Sequence, residues 1–361
     1  MQFVKAEDLK MGMRLARPIY SKKGVLLFDR NSKLTTNAIE SVKNFGLLGI
    51  YILEPAEPLP PMTEEDFEFE RFQTMVIFSI QEAVSKILSN QKQNKIQVIN
   101  SMILKNYGHN EGKINFYQNL RSTEDYVYRH SLNVAILCAL ITHKMNIKRE
   151  DQTQIINAAI MHDIGKIKLD SDIVYRDDLT EDEASRLYTA QMQGSNIIED
   201  TFIDGLAVKR ICQQAAKQEH DGGALDSRTV LGAKVLLVAN KYDELTAMSL
   251  GGDRKSEVLA IKTLLAHPET YDKEVVNALI NSVNILTPGV SIELSTGEKA
   301  LVLAENRGDM LRPMVLCFSD NSILDLSLRV NHDIEVMDIM KTLDNRYIMD
   351  VDSLRSAGYK I

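Results

Sequence analysis

His162 and Asp163 stand side by side at the end of an apolar run, and His130 lies one predicted helix earlier in the chain. Imidazole nitrogen and carboxylate oxygen are donors that a divalent transition metal accepts, with water filling its remaining positions. Val127, His130, Ser131, Val134, Cys138 and Ile141 follow i, i+3, i+4, i+7 spacing, which puts His130 on the buried face of a helix. A buried imidazole needs a partner. Two readings compete for it, a satisfied core histidine and a metal ligand, and the His162-Asp163 pair on the following helix favours a shared site. Lys166 stands just beyond, as a phosphate partner or as a charge complement to a helix end.

These residues need a frame. Ile155, Ile156, Ala159 and Ile160 carry the second helix inward, and Gly165 is expected to end it. Residues 54–61 hold four of the eight prolines and read as a linker. Ahead of it, runs at 13–20 and 24–28 flank a turn as a β-hairpin would. A helix over 36–45 and a strand over 49–53 complete a small N-terminal α+β module over 1–60. Residues 61–113 form a linker and an amphipathic helical segment, with Phe72, Val76, Ser79, Ile80, Ala83 and Ile87 at helical spacing. That stripe packs either on the core or on a second subunit, as in a homodimer. Successive helices follow over 114–286. From 287 to 361 the texture turns to short β runs, with 290–294 and 300–303 joined through Ser295-Thr296-Gly297 as a hairpin. The fold class is mainly α: a helical core with a small N-terminal α+β module and a small C-terminal β-rich extension.

Composition removes several classes of function. The net charge of -8, from 42 basic and 50 acidic residues, argues against binding duplex DNA or RNA. No run approaches the length that spans a bilayer and the N-terminus is no secretory signal, so a cytoplasmic protein without membrane insertion is expected. Cys138, Cys212 and Cys317 are far apart and form no CxxC pair, which makes them reduced core residues.

Over residues 120 to 260 the chain resembles the HD-GYP family, a branch of the HD phosphohydrolases that hydrolyse cyclic di-GMP. Residues 126–135 (YVYRHSLNVA) are similar to the family's first-ligand helix, and 162–166 (HDIGK) to its HDxGK signature. Residues 218–225 (QEHDGGAL) are similar to an eroded HHExxDGxGYP segment, and 239–246 (ANKYDELT) to an altered ADxYDALT segment. The start of the N-terminal module and the β-rich tail also resemble extensions found around such domains. The resemblance implies a helical HD core and a site for iron or manganese ions bridged by a hydroxide that attacks phosphorus. Such a clamp stabilises both the entering and the leaving oxygen.

The departures bear on function. His130, His162 and Asp163 match ligand positions, whereas Ala190, Ala216 and Lys217 stand where the family has histidines and Gln218 where it has a glutamate. Asn240 replaces the closing aspartate, and Tyr126 cannot supply the glutamate of three-metal members. What remains suits no metal or a single iron or manganese ion at an incomplete site, with His220 a fourth ligand if its segment shifts. Should the domain turn over substrate, Asp163 and Lys166 carry the chemistry. Lys166, Lys217 and Arg254 are the candidate contacts to a phosphate-bearing ligand, Lys217 in place of lost metal charge. Lys217 as a solvated side chain and Arg254 in a polar loop are the competing readings. The expectation is a catalytically inactive signalling or scaffold protein with protein partners that binds a cyclic dinucleotide. The alternative is a metal-dependent phosphodiesterase with a reduced site.

Overall fold

The computed structural model describes residues 2–21, 24–45, 47, 49–53, 62–118, 121–122, 124–174, 176, 178–247 and 254–340. The N-terminal module contains β1 (Gln2–Lys5), β2 (Arg14–Leu15), β3 (Ile19–Tyr20), β4 (Leu26–Phe28), α1 (Thr36–Asn44) and β5 (Gly49–Leu53). β5 is the middle strand of an antiparallel β1-β5-β2 sheet, and β3 pairs with β4. The expected hairpin is therefore shorter than the apolar run that suggested it. Pro18 has no N–H for a ladder and splits the run, so Arg14–Leu15 joins β5 and only Ile19–Tyr20 meets β4. Thr35 caps α1 by accepting from the Ala38 N–H. Leu15, Ile19, Leu34, Val42, Ile50 and Ile52 give this module a core of its own. The expected linker over 54–61 lies outside the described residues.

The helical part comprises α2 (Glu64–Leu88), α3 (Lys95–Tyr107), α4 (Tyr126–Lys144), α5 (Arg149–Met161), a 3-10 helix (Ile164–Lys168), α6 (Ser171–Val174), α7 (Glu181–Glu199), α8 (Gly205–Asp221), α9 (Leu231–Thr246), α10 (Glu257–Ala266) and α11 (Lys273–Ile280). Capping boxes at Thr63/Asp66 and Thr180/Glu183 start α2 and α7. The apolar stripe of α2 is buried against α3 and α4, so it packs within the chain. α4 is buried on every side from Arg129 to Thr142, as a central helix must be, with α5 and α9 beside it.

Beyond α11, β6 (Ser291–Leu294), β7 (Lys299–Ala304), β8 (Met314–Cys317), β9 (Ile323–Asp325) and β10 (Val336–Ile339) form an antiparallel sheet ordered β10-β6-β7-β8-β9. Gly297, at φ +77°, turns the β6–β7 hairpin expected from the sequence. Ile292, Val302 and Val315 belong to the same core as the helices, so the extension is packed on, and Ser256 of the α10 cap hydrogen-bonds Asp338 of β10. Cys138, Cys212 and Cys317 are free and buried. Among the described residues no helix is long and apolar enough to cross a membrane.

One contact fixes the floor of the candidate site. The 3-10 helix after Asp163 lies so close to α7 that a Cβ on Gly165 would sit 1.8 Å from the Ala190 carbonyl oxygen. The glycine of the HDIGK run is thus a requirement of backbone approach. Gly165→Ala should cost about 1–3 kcal/mol or more through overpacking, read as a lower urea midpoint; an unchanged midpoint would show that the two segments part freely.

Candidate metal centre

α4 delivers His130, the end of α5 delivers His162 and Asp163, and α9 delivers Asn240 and Asp243 to one buried point. One ligand atom from each of His130, His162 and Asp163 lies within 4.8 Å of the others. The Nε2 atoms of the two histidines are 3.3 Å apart. The Asp163 carboxylate is 3.7 Å from His130 Nε2 and 3.6 Å from His162 Nε2.

Each imidazole is oriented by its other nitrogen. His130 Nδ1 faces Asp243 Oδ2 at 2.6 Å and His162 Nδ1 faces the Ala159 carbonyl at 2.8 Å. Both are acceptors, so both Nδ1 atoms carry protons and both Nε2 atoms turn inward. Asn240 spends its amide N–H groups on Glu219 at 2.7 Å and Glu244 at 3.0 Å, which points its Oδ1 to His162 Nε2 at 3.1 Å. Lone pairs from two imidazoles, one amide and one carboxylate therefore converge. A proton on His130 would relieve one of these contacts and a divalent ion several, so these residues fit a single ion held by His130, His162 and Asp163.

Asp163 also has partners within the chain. Asp163 Oδ2 is paired with Lys166 Nζ at 2.9 Å, and Oδ1 accepts from Gln191 Nε2 at 3.1 Å. Ala190 and Ala216 are buried and bring no donor. The electrostatics agree with this pairing. Burial alone would raise the Asp163 carboxyl, but His162, Lys166 and His130 outweigh it and hold it well below the usual carboxylate range. Burial works against the charge of Lys166 too, yet Asp163, Glu219 and Glu244 keep its ammonium firmly protonated. Burial lowers His162, assisted by the charges of His130 and Lys166. His130 is raised, because the hydrogen bond to Asp243 and its charge overcome desolvation.

The outer residues were not legible as site residues. Asp243 is fully buried and accepts from His130, from Arg121 Nη2 at 2.6 Å, from Gln118 Nε2 at 3.0 Å and from Asn133 Nδ2 at 2.9 Å. Arg121 and Gln118 come from the segment before α4, outside any motif, and only their burial reveals them. Glu219 is raised to about 7 by burial of its carboxylate and by Glu244, although the residue as a whole opens to solvent. Glu244 is lowered, since Lys241 and Lys166 outweigh its desolvation.

Other expected residues lie elsewhere. Lys217 is exposed, with Asp226 as its electrostatic neighbour. His220 is also exposed and stacks on Tyr188, ring centroids 4.3 Å apart, so the helix does not bring it to the ligand cluster. Arg254 donates to the Tyr51 hydroxyl at 2.9 Å and pairs with Glu257 at 2.8 Å, tying the α9–α10 connection to the N-terminal module. Residues 248–253 lie outside the described residues.

This architecture is that of a helical domain with a buried His/His/Asp cluster that could hold a metal ion, and comparison with known proteins gives its family. The family model described as HD domain matches residues 127–245. A Pseudomonas aeruginosa protein named cyclic di-GMP phosphodiesterase PA4108 is 22% identical over 205 residues, covering 55% of this chain and 49% of the relative. The chain thus spans about half the length of that curated relative. The family match bears out the resemblance at the level of an HD domain over residues 127–245. Among solved structures, Bd1817, a HDG"Y"P protein from Bdellovibrio bacteriovorus, is similar at TM-score 0.44 and 13% identity, over 77% of this chain and 97% of that one.

Asp243→Asn should cost about 3–5 kcal/mol, because it leaves the Arg121 charge buried without its counter-ion. Equilibrium urea unfolding measures this; a loss below 1 kcal/mol would mean that water solvates Arg121.

Proposed function

We propose that this chain is a degenerate HD-GYP protein of cyclic di-GMP signalling, located in the cytoplasm, that does not cut the dinucleotide. The observation that carries the reading is the state of Asp163. Both of its oxygens are hydrogen-bonded by the chain's own donors, Lys166 and Gln191. Hydrolysis through a two-metal clamp needs a carboxylate free to bridge two ions and histidines around the second. Here the carboxylate is occupied, and Ala190 and Ala216 offer nothing to a second ion. The charge of Lys166 replaces part of the charge that metal would supply, which suits retention of a phosphate over its cleavage. Output then runs through partner proteins bound by the flanking modules, and a homodimer is one form this can take.

A second reading has its own support. His130, His162 and Asp163 converge closely enough to hold one iron or manganese ion, which would supply Lewis-acid activation of a phosphoryl oxygen. In that case Asp163 would help to hold the ion and Lys166 would be the cation available to the substrate phosphate. Protein purified without chelator or nickel distinguishes the two by elemental analysis together with product formation from cyclic di-GMP under added iron and manganese. The proposal expects less than one ion per chain and no linear product; stoichiometric metal with turnover would replace it by the single-ion phosphodiesterase. The double variant Ala216→His, Lys217→His should remain inactive, since Ala190 and Asn240 still leave the second ion's shell incomplete, and robust turnover by it would overturn that account.

A further inference from the structure

A cavity of about 480 Å³ lies away from the metal centre, between the N-terminal module, α2 and the start of α4. Its size is within the range of small-molecule sites, about 300–1,000 Å³. Arg129 lines it. That residue is more than nine-tenths buried, and its Nε donates to Asp125 Oδ2 at 2.6 Å. Its two terminal amino groups are not among the buried atoms left without a partner, so they stay accessible at the cavity wall. A guanidinium has donors only, in a planar fork, so what completes it is a pair of adjacent acceptors.

Two chemistries offer such a pair, an anion and a guanine-type base. The walls decide between them. Arg17 and Arg129 face Glu70, Glu124 and Asp125, and Arg17 is already paired with Glu70. A net acidic lining repels a further carboxylate or phosphate. A neutral guanine presents its carbonyl and ring nitrogen to the fork, while its N–H edge finds carboxylate acceptors such as Glu124. Tyr51 and Phe78 add aromatic surface for a planar ring.

We infer that this cavity is a binding site for a guanine-type base, built against the group that orients His130. Gln73 and Gln118, both in the cavity wall, connect it to the centre. Gln73 Nε2 donates to Asn133 Oδ1 at 2.9 Å, Asn133 and Gln118 both donate to Asp243, and Asp243 holds His130. Arg129 is also the neighbour of His130 on α4. Hydrogen bonds thus run without a break from the cavity wall to the imidazole of His130.

The test is saturation-transfer NMR and calorimetry on the full chain with guanosine, and adenosine as control. Guanosine should bind and adenosine should bind more weakly, because adenine sets an amino donor beside its ring nitrogen. Arg129→Lys keeps the charge but loses the fork, and should weaken guanosine by about tenfold or more in a chain that still melts in one cooperative transition. Thr74→Tyr fills the cavity from α2 and should abolish binding. Displacement of guanosine by cyclic di-GMP would assign the site to a base of the dinucleotide, and its absence to a free nucleoside; either supports the pocket. No transfer to guanosine at millimolar concentration, equal binding of the two nucleosides, or full binding by either variant would overturn the inference.

Discussion

A single buried carboxylate, Asp243, organises the middle of the molecule. It lies on α9 and accepts from His130 and Asn133 of α4 and from Arg121 and Gln118 of the segment before α4. A buried carboxylate is tolerated only when its charge is matched and its lone pairs are filled, and this one has both conditions met. Burial would raise it, but Arg121 and His130 hold it well below the usual carboxylate range. It follows that α4 and α9 cannot slide past one another without exposing a charge, and that His130 is locked with Nε2 inward. The geometry at His162, Asp163 and Asn240 depends on that lock.

Around this anchor the side chains have a geometry that could hold an ion. Gly165 approaches Ala190 closely and the two imidazoles converge. The groups around them are mixed in chemistry. An amide stands at Asn240, oriented by two carboxylates, and methyl groups stand at Ala190 and Ala216. Lys166 and Gln191 satisfy Asp163 from within the chain. An incoming ion would meet hydrogen bonds already formed at Asp163, but at His130 and His162 it would meet lone pairs without a donor.

Much of the fold was legible in the sequence, for physical reasons that can be named. Proline, glycine and the change from helical to alternating apolar spacing marked the modules. The burial of α4 and the Thr180 cap followed from pattern and side-chain chemistry. The hairpin at the N-terminus came out shorter because Pro18 was read inside a strand. In the site, His130, His162 and Asp163 were legible, since the helical period put two of their elements on one face. Lys217, His220 and Arg254 followed from the segments that resemble family motifs, and helix phase turns the first two to solvent. Asp243 and Arg121 were missed because an ion pair separated by more than a hundred residues leaves no local period. A buried charge announces itself only once its surroundings are known.

Anomalous diffraction at the manganese edge, from crystals of the intact chain grown with manganese, tests the central claim most directly. The account predicts either no anomalous density at the centre or a single peak among His130, His162 and Asp163, with the Lys166–Asp163 pair intact beside it. Two peaks bridged by Asp163, with Lys166 displaced, would contradict it and restore the two-metal clamp.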